Sequence, residues 1–308
     1  MLPMRTLLIA GLGDVARRAL PELVRHWRVF AIAHHAAAAE AARQGGAHPI
    51  RANLDCQESL RRIAGLANEV WITAPPPASG LRDNRTRKLL YALAKADRIP
   101  QRISYISTTG VYGNGDGAWL DECSPLQPQT ERAQRRADAE AVLRAFARRH
   151  ACQLNILRAP GIYALERLPL TRLLQGTPLI LPTEDSYSNH IHADDLARLC
   201  IASLQQQRGG IRVFNACDDE PLTITDWYAM LAEALALPMP PQLSRAAVRQ
   251  QVSPALWSYM AESRRIRNAR LAELGVVLRY PTARQFVAQL AANPAWQAVA
   301  LAKGGKIR

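Results

Sequence analysis

The stretch Thr6-Leu-Leu-Ile-Ala-Gly-Leu-Gly-Asp-Val-Ala-Arg17 restricts the fold more than any other part of the chain. Leu7, Leu8, Ile9 and Ala10 form an apolar run without helical spacing. Gly11 and Gly13 stop it, and an Ala/Leu-rich helical pattern resumes at Val15. The order is strand, tight turn, helix. Gly11-x-Gly13-x-x-Ala16 fits the G-x-G-x-x-G/A dinucleotide fingerprint, in which the first glycine permits the turn, the second lets a pyrophosphate approach backbone, and the small third residue packs helix on strand. Free N–H groups and the positive end of the helix dipole then face the phosphates. Gly11, Leu12, Gly13, Asp14 and Val15 are the expected phosphate loop, with the Asp14 carboxylate turned away.

A second buried strand is expected at Val29–Ala33. In the fingerprint an acid at its end bonds the ribose 2′-OH of NAD. That place holds His34 and His35, so no carboxylate repels a 2′-phosphate, and Arg17, His34 or Arg43 are available to bind one. NADP is therefore the expected preference, with NAD as the alternative; two histidines in a solvated loop is the competing reading. Helix 36–44 and a third strand at His48–Arg51 lead to Asn53-Leu54, where an adenine can rest. A further amphipathic helix is expected over 57–67 and a fourth strand over Val70–Thr73. Ala74-Pro75-Pro76-Pro77 cannot continue a helix or a central strand, so the chain turns there over the cofactor side. A basic helix from about Asn84 to Asp97 precedes a fifth strand at Ile103–Ser107. Strand–helix alternation of this kind marks a doubly wound α/β sheet, whose ligands lie beyond the C-terminal strand ends, where Ser107-Thr108-Thr109 emerges.

The remaining landmarks are ordered. Ser107-Thr-Thr-Gly-Val-Tyr-Gly113, Asp121-Glu122, Glu140, Leu157-Arg-Ala-Pro-Gly-Ile-Tyr163, Asn189-His-Ile-His-Ala-Asp-Asp-Leu196 and Phe214-Asn215 together resemble the extended and atypical short-chain dehydrogenase/reductases, the NAD-dependent epimerase/dehydratase group. The resemblance runs from residue 6 to about 290. Arg265-Ile-Arg-Asn-Ala-Arg-Leu271, with Leu274-Gly275 and Arg279-Tyr-Pro281, is similar to the C-terminal segment of an atypical subgroup. It implies a doubly wound parallel-sheet Rossmann core, residues 1–160 with returning segments at about 189–215 and 262–272. A small C-terminal substrate-binding subdomain would comprise about 161–188, 216–261 and 273–300. Residues 302–308 read as a loose tail.

In that family a Tyr-x-x-x-Lys pair follows the fifth strand. The tyrosine serves as acid/base, and the lysine lowers its pKa and holds the nicotinamide ribose. Counting back from Glu140, and forward from the Pro125/Pro128 loop, places the pair at Arg132 and Arg136. Arginine stays protonated, so neither is an ordinary general acid/base near neutral pH. Thr108 matches the family's Ser/Thr and can still bond a carbonyl or alcohol oxygen. Two guanidinium groups at i and i+4 share a helix face and would make an anion clamp if that face looks into the cleft. Otherwise they belong to a solvated face with Arg135, Arg144, Arg148 and Arg149. Ala133, Ala137, Ala141 and Ala145 form a stripe expected to pack on the sheet or on a second subunit, which makes a homodimer conceivable. Tyr112, Tyr163 and Tyr187 are candidates for a relocated acid, with core packing as the competing role. His190-x-His192 with Asp194 and Asp195 lacks a third ligand at suitable spacing and matches a family hinge segment, so no metal site is expected.

Composition narrows the rest. The chain has 308 residues, 48% hydrophobic and 21% charged, enough for a sizeable core. No apolar run approaches the roughly 20 residues of a membrane span, and the first ten residues lead into the glycine turn rather than a cleavage site, so a cytoplasmic location is expected. Five widely spaced cysteines without C-x-x-C read as reduced thiols. A net charge of +13 invites nucleic acid, but the arginines are spread along the chain without a block of like charge. No nucleic-acid partner is expected, whereas small anions would be drawn in. The expected function is oxidoreduction, with hydride passing between NAD(P) and a small, anionic carbonyl or alcohol substrate. A cofactor-binding sensor without catalysis is the alternative, and a nucleotide-sugar epimerase, which needs the missing tyrosine, is third.

Overall fold

The computed structural model describes residues 5–304. Seven strands form one parallel sheet: β1 (Arg5–Ala10), β2 (Trp27–Ala33), β3 (His48–Arg51), β4 (Glu69–Ile72), β5 (Arg102–Thr108), β6 (Gln153–Ala159) and β7 (Ile211–Asn215). Their order is β7-β6-β5-β4-β1-β2-β3. The chain order reverses between β1 and β4, and there a doubly wound sheet opens its ligand crevice. This is the Rossmann architecture.

The apolar runs explain the sheet. Side chains alternate across a strand, and a sheet covered on both faces needs apolar residues at every position. Leu7 and Ile9 enter one core with Val29, Ala31, Trp71, Leu157 and Phe214. Leu8 and Ala10 enter the other with Phe30, Ile32, Val70, Ile72, Tyr105 and Ile156. The first face is covered by α1 (Asp14–His26) and, further along the chain, by Leu196, Cys200 and Leu204 of a helix given below. The second is covered by α3 (Asn84–Leu93) and α4 (Glu131–Arg149), while α2 (Ala36–Gln44) flanks β2 and β3. Most helices open on a side chain that takes up a first-turn N–H: His35 for α2, Asp83 for α3 and Thr130 for α4. At α1 the N-cap is Gly13, and no side chain occupies that end.

Beyond β6 the chain alternates between the sheet and a second apolar cluster. Short helices α5 (Leu170–Leu174), α7 (Ile224–Ala234), α8 (Arg245–Gln251), α9 (Pro254–Met260), α10 (Ala283–Ala291) and α11 (Pro294–Gly304) surround Tyr163, Leu173, Trp227, Leu231, Phe286 and Leu290. Between them α6 (Ala193–Gln205) and β7 return to the sheet.

Two expectations need correction, the 57–67 helix and the tail, and the alanine stripe is narrowed. Residues 57–67 do not make an amphipathic α-helix; Glu58–Ile63 is a 3-10 helix that buries only Leu60 and Ile63 before turning at Gly65, whose φ is +68°. On α4 the sheet is packed by Ala139, Leu143, Phe146 and Ala147, while Ala141 and Ala145 are exposed. Strict i, i+4 spacing overshoots a full turn and walks off the buried face. Helix α11 continues through Ala302 to Gly304, inside the expected tail; 305–308 lie outside the described residues.

Candidate functional site

Three cavities adjoin one another along the C-terminal strand ends. The first, about 490 Å³, is walled by Gly11, Leu12, Gly13, Arg17, His34, His35, Asn53, Leu54, Ala74, Pro75, Asp55 and Arg85, among others. The glycines behave as the fingerprint requires. Gly11 has φ +107°, and a Cβ there would lie 2.6 Å from the Ala74 nitrogen, so β1 and β4 approach too closely for a side chain. A Cβ on Gly13 would meet nothing within 4 Å; that space is open toward the cavity. With the uncapped start of α1 beside it, the cavity suits a dinucleotide pyrophosphate.

Of the expected loop residues, Asp14 and Val15 do not line this cavity. Asp14 turns its carboxylate to Arg18 and Arg167, at 3.2 and 3.1 Å, and Val15 is buried in the core, so each can contribute only its backbone at the helix start. His35 is partly engaged, its Nδ1 accepting from the Ala38 N–H at 3.0 Å. Arg43 pairs with Glu40 at 3.1 Å and is not among the residues of the wall. Arg85 was not anticipated from the sequence: it grips Asp55 through Nε and one terminal nitrogen, at 2.8 and 2.7 Å, and holds that carboxyl below its ordinary range. The basic helix that carries Arg85 was legible, but not the 30-residue jump to Asp55.

The second cavity, about 430 Å³, shares Pro75 with the first and is bounded by Pro76, Pro77, Ala78, Ile106, Ser107, Thr108, Arg132, Arg136, Pro160 and Ile162. Ser107 belongs to this wall rather than the first, and its hydroxyl is turned inward to Glu140 at 2.7 Å. Glu140 is 1% exposed and receives the Arg158 guanidinium through two bonds, 3.0 and 2.7 Å. Arg158 also donates to the Tyr112 hydroxyl at 2.8 Å, which in turn donates to Asn215 at 2.8 Å. Tyr112 is thereby built into the frame, and burial pushes its hydroxyl up to about 12.

The two arginines of α4 part company. Arg136 donates one terminal nitrogen to the Ile106 carbonyl (2.9 Å), the Tyr105 hydroxyl (3.0 Å) and, more loosely, the Ala74 carbonyl (3.4 Å). Its guanidinium is tied to the strand ends. Arg132 is exposed, and no hydrogen bond or ion pair engages it among the described residues. It lies in the walls of both the second and the third cavity, as do Thr108 and Pro160. Thr108 Oγ1 accepts the Gly110 N–H at 3.1 Å and keeps its own proton free to donate.

The third cavity, about 460 Å³, lies where the Rossmann sheet meets the second cluster. Arg132, Arg172, Arg264, Glu262, Tyr187, Ser188 and Tyr259 supply its polar wall. Arg264 pairs with Glu262 at 2.5 Å and Arg172 donates to Tyr228 at 3.0 Å, which leaves Arg132 as the cation of this wall without a partner among the described residues. Among the three tyrosines expected from sequence, only Tyr187 reaches this cavity. Tyr163 is buried among His190, His192, Trp227 and Phe286, and its hydroxyl has no partner among the described residues. Tyr259 is the one that sequence reading missed. His190 and His192 are both buried; His192 Nδ1 accepts the Asp194 N–H and starts α6. No group of three metal-ligating side chains assembles among the described residues.

The comparisons agree with this architecture. One structure, a conserved protein of unknown function from Silicibacter pomeroyi, is 31% identical over 94% of this chain and 98% of its own, with a TM-score of 0.75. A second, from Methylobacillus flagellatus and assigned to the NAD-dependent epimerases/dehydratases, is 24% identical over 94% and 98%, with a TM-score of 0.70. A third, MoeE5 solved with UDP-glucose and NAD, is 20% identical over 96% and 99%, with a TM-score of 0.71. A search of curated proteins finds no match. No helix among the described residues is long and apolar enough to cross a membrane. The NAD dependent epimerase/dehydratase family matches residues 12–217, more than half of the sequence, and the chain belongs to that family.

Proposed function

We propose that the protein is an NADP(H)-preferring oxidoreductase of the atypical short-chain dehydrogenase class, acting on a small carbonyl or alcohol that carries an anionic group. The observation that carries this reading is the placement of Arg132. An unpaired guanidinium stands between the cavity next to the phosphate loop and the cavity at the subdomain boundary, with the Thr108 hydroxyl beside it. When bound, the nicotinamide supplies or removes hydride. The chain's own part is orientation and charge. Gly11, Gly13 and the start of α1 receive the pyrophosphate, and Asn53 and Leu54 receive the adenine. Arg136 and the Ala74–Pro77 turn shape the floor, Thr108 bonds the reacting oxygen, and Arg132 holds a carboxylate or phosphate in a fork.

NADP(H) is favoured because Arg17, His34 and His35 wall the cavity at the end of β2, where a carboxylate would select NAD. Asp55, the acid in that wall, is already neutralised by Arg85. Calorimetric titration with NADPH and NADH tests the preference, and Arg17→Ala should narrow it by about tenfold, the worth of one charge-assisted bond. Equal affinities in the parent would reverse the assignment. Consumption of NADPH with a panel of 2-oxo acids tests the chemistry.

A second reading has one observation in its favour: α4 offers no tyrosine or lysine at the reaction centre, as a cofactor-dependent sensor would not need them. Tight NADP(H) binding without turnover on any member of the panel would select it. Epimerisation of a nucleotide sugar stands third, because the acid/base that it needs is replaced by Arg132.

A further inference from the structure

The reading above leaves a proton unassigned, since reduction of a carbonyl consumes one and neither Arg132 nor Arg136 can give it. We propose that Tyr259, on α9 of the second cluster, is the proton donor, set in place by a hydrogen-bonded chain through Ser188 to His190. The inference rests on the oxidoreductase reading.

The geometry is as follows. Tyr259 and Ser188 line the third cavity together with Thr108 and Arg132. The Tyr259 hydroxyl lies 3.0 Å from Ser188 Oγ, and Ser188 Oγ lies 3.2 Å from His190 Nε2. The opposite ring nitrogen, His190 Nδ1, is buried and has no partner among the described residues. Trp227 packs on the ring at 4.7 Å. An orphaned buried N–H is costlier than an orphaned lone pair, so the ring carries its proton on Nε2. Burial pushes the imidazole down to about 4, which keeps it neutral in the working range. The direction of the chain is then fixed: Nε2–H donates to Ser188 Oγ, Ser188 donates to the Tyr259 oxygen, and the Tyr259 proton is left for a ligand.

In the reducing direction the substrate carbon gains a hydride from the reduced nicotinamide. The carbonyl π pair becomes a bond to the Tyr259 proton. The phenolate left behind is held by the Ser188 hydroxyl until a proton returns from solvent by way of the third cavity, which Tyr259 lines. His190 stays neutral throughout and acts as a positioning residue. The charged and titratable groups around the phenol are Arg172 of α5, whose guanidinium carbon is 5.8 Å from the ring centroid, Arg264 and Asp185 from loops, and Tyr228 of α7. Burial, helped by Asp185, holds the phenol above its ordinary range, against the Ser188 bond and the two arginines, which favour the phenolate.

The test uses full-length protein labelled with 13C at tyrosine Cζ, the Tyr259 resonance being assigned by its loss in Tyr259→Phe. In the presence of NADP+, added oxamate, a carboxylate with an adjoining carbonyl, should move that resonance, and Tyr259→Phe should weaken oxamate about tenfold. Ser188→Ala should raise the ionisation midpoint of Tyr259 by about one pH unit, and Ser188→Thr, which keeps the hydroxyl, should restore it. An unmoved Tyr259 resonance, or a midpoint indifferent to Ser188→Ala, overturns the assignment. Failure of NADP+ to bind by calorimetry overturns the oxidoreductase reading instead, so the two failures are separable.

Discussion

Gly13 and His190 illustrate what a single position can carry. Gly13 has φ −79° and open space before it, so Gly13→Val leaves the backbone unstrained and fills the place of a phosphate. The variant should melt within about 2 °C of the parent and lose NADPH affinity by at least tenfold, read by calorimetry; full affinity would remove the phosphate loop from this turn. His190 sets a pH dependence. Its folded pKa, about 4, lies below the ordinary 6.5, so the unfolded chain takes up the proton first as pH falls. The stability it contributes is complete above 6.5 and is lost between 6.5 and 4, by roughly 3 kcal/mol. Chemical denaturation across that range should give a shallower pH slope for His190→Gln; superimposable slopes would show that the ring is hydrated. The strand–glycine turn–helix at residues 5–26 was legible because its geometry is local in sequence. Tyr259 was not, because its meaning depends on Ser188, 71 residues away and across a subdomain boundary.

At the scale of the element, α4 shows what residue spacing can and cannot convey. Counting from Glu140 put Arg132 and Arg136 one turn apart and left open whether their face meets the cleft or solvent; both line the second cavity. What spacing could not reveal is that Arg136 meets two carbonyls and a phenol at the ends of β4 and β5. The two arginines should therefore respond differently. Arg136→Ala should cost about 1–3 kcal/mol in urea unfolding, because it strips donors from buried acceptors. Arg132→Ala should change stability by less than about 0.5 kcal/mol and weaken carboxylate ligands. Equal stability losses would contradict the geometry. The alanine stripe is only partly on the sheet, because small residues fit either a packed or a solvated face, and on α4 the larger Leu143 and Phe146 decide which face meets the sheet. The 57–67 segment has apolar residues enough for a helix, but Gly65 and the turn before β4 leave it only one short 3-10 stretch.

For the whole molecule, the doubly wound parallel sheet followed from strand–helix alternation, whereas the third cavity did not, since it joins β5 and α4 to segments as far along the chain as Arg264. The Glu140–Arg158 pair joins α4 to β6 at the centre of the protein. Glu140→Gln would leave a buried guanidinium uncompensated and should cost about 3–5 kcal/mol in global stability, measured by urea titration. A loss under 1 kcal/mol would mean that water reaches the pair. The chain does not finish one unit before beginning the other. It leaves the sheet after β6, returns for α6 and β7, leaves again, and comes back at Arg265-Ile266, which pairs with Trp119-Leu120, before ending in the second cluster. The two lobes are stitched by several threads, not hung on one. A fragment ending at residue 160 would bare the α1 surface that Leu196, Cys200 and Leu204 cover, and it should be recovered as aggregate. The seam that holds Arg132 and Tyr259 is thus walled by chain from both lobes, so a visitor seated there touches sheet and second cluster together.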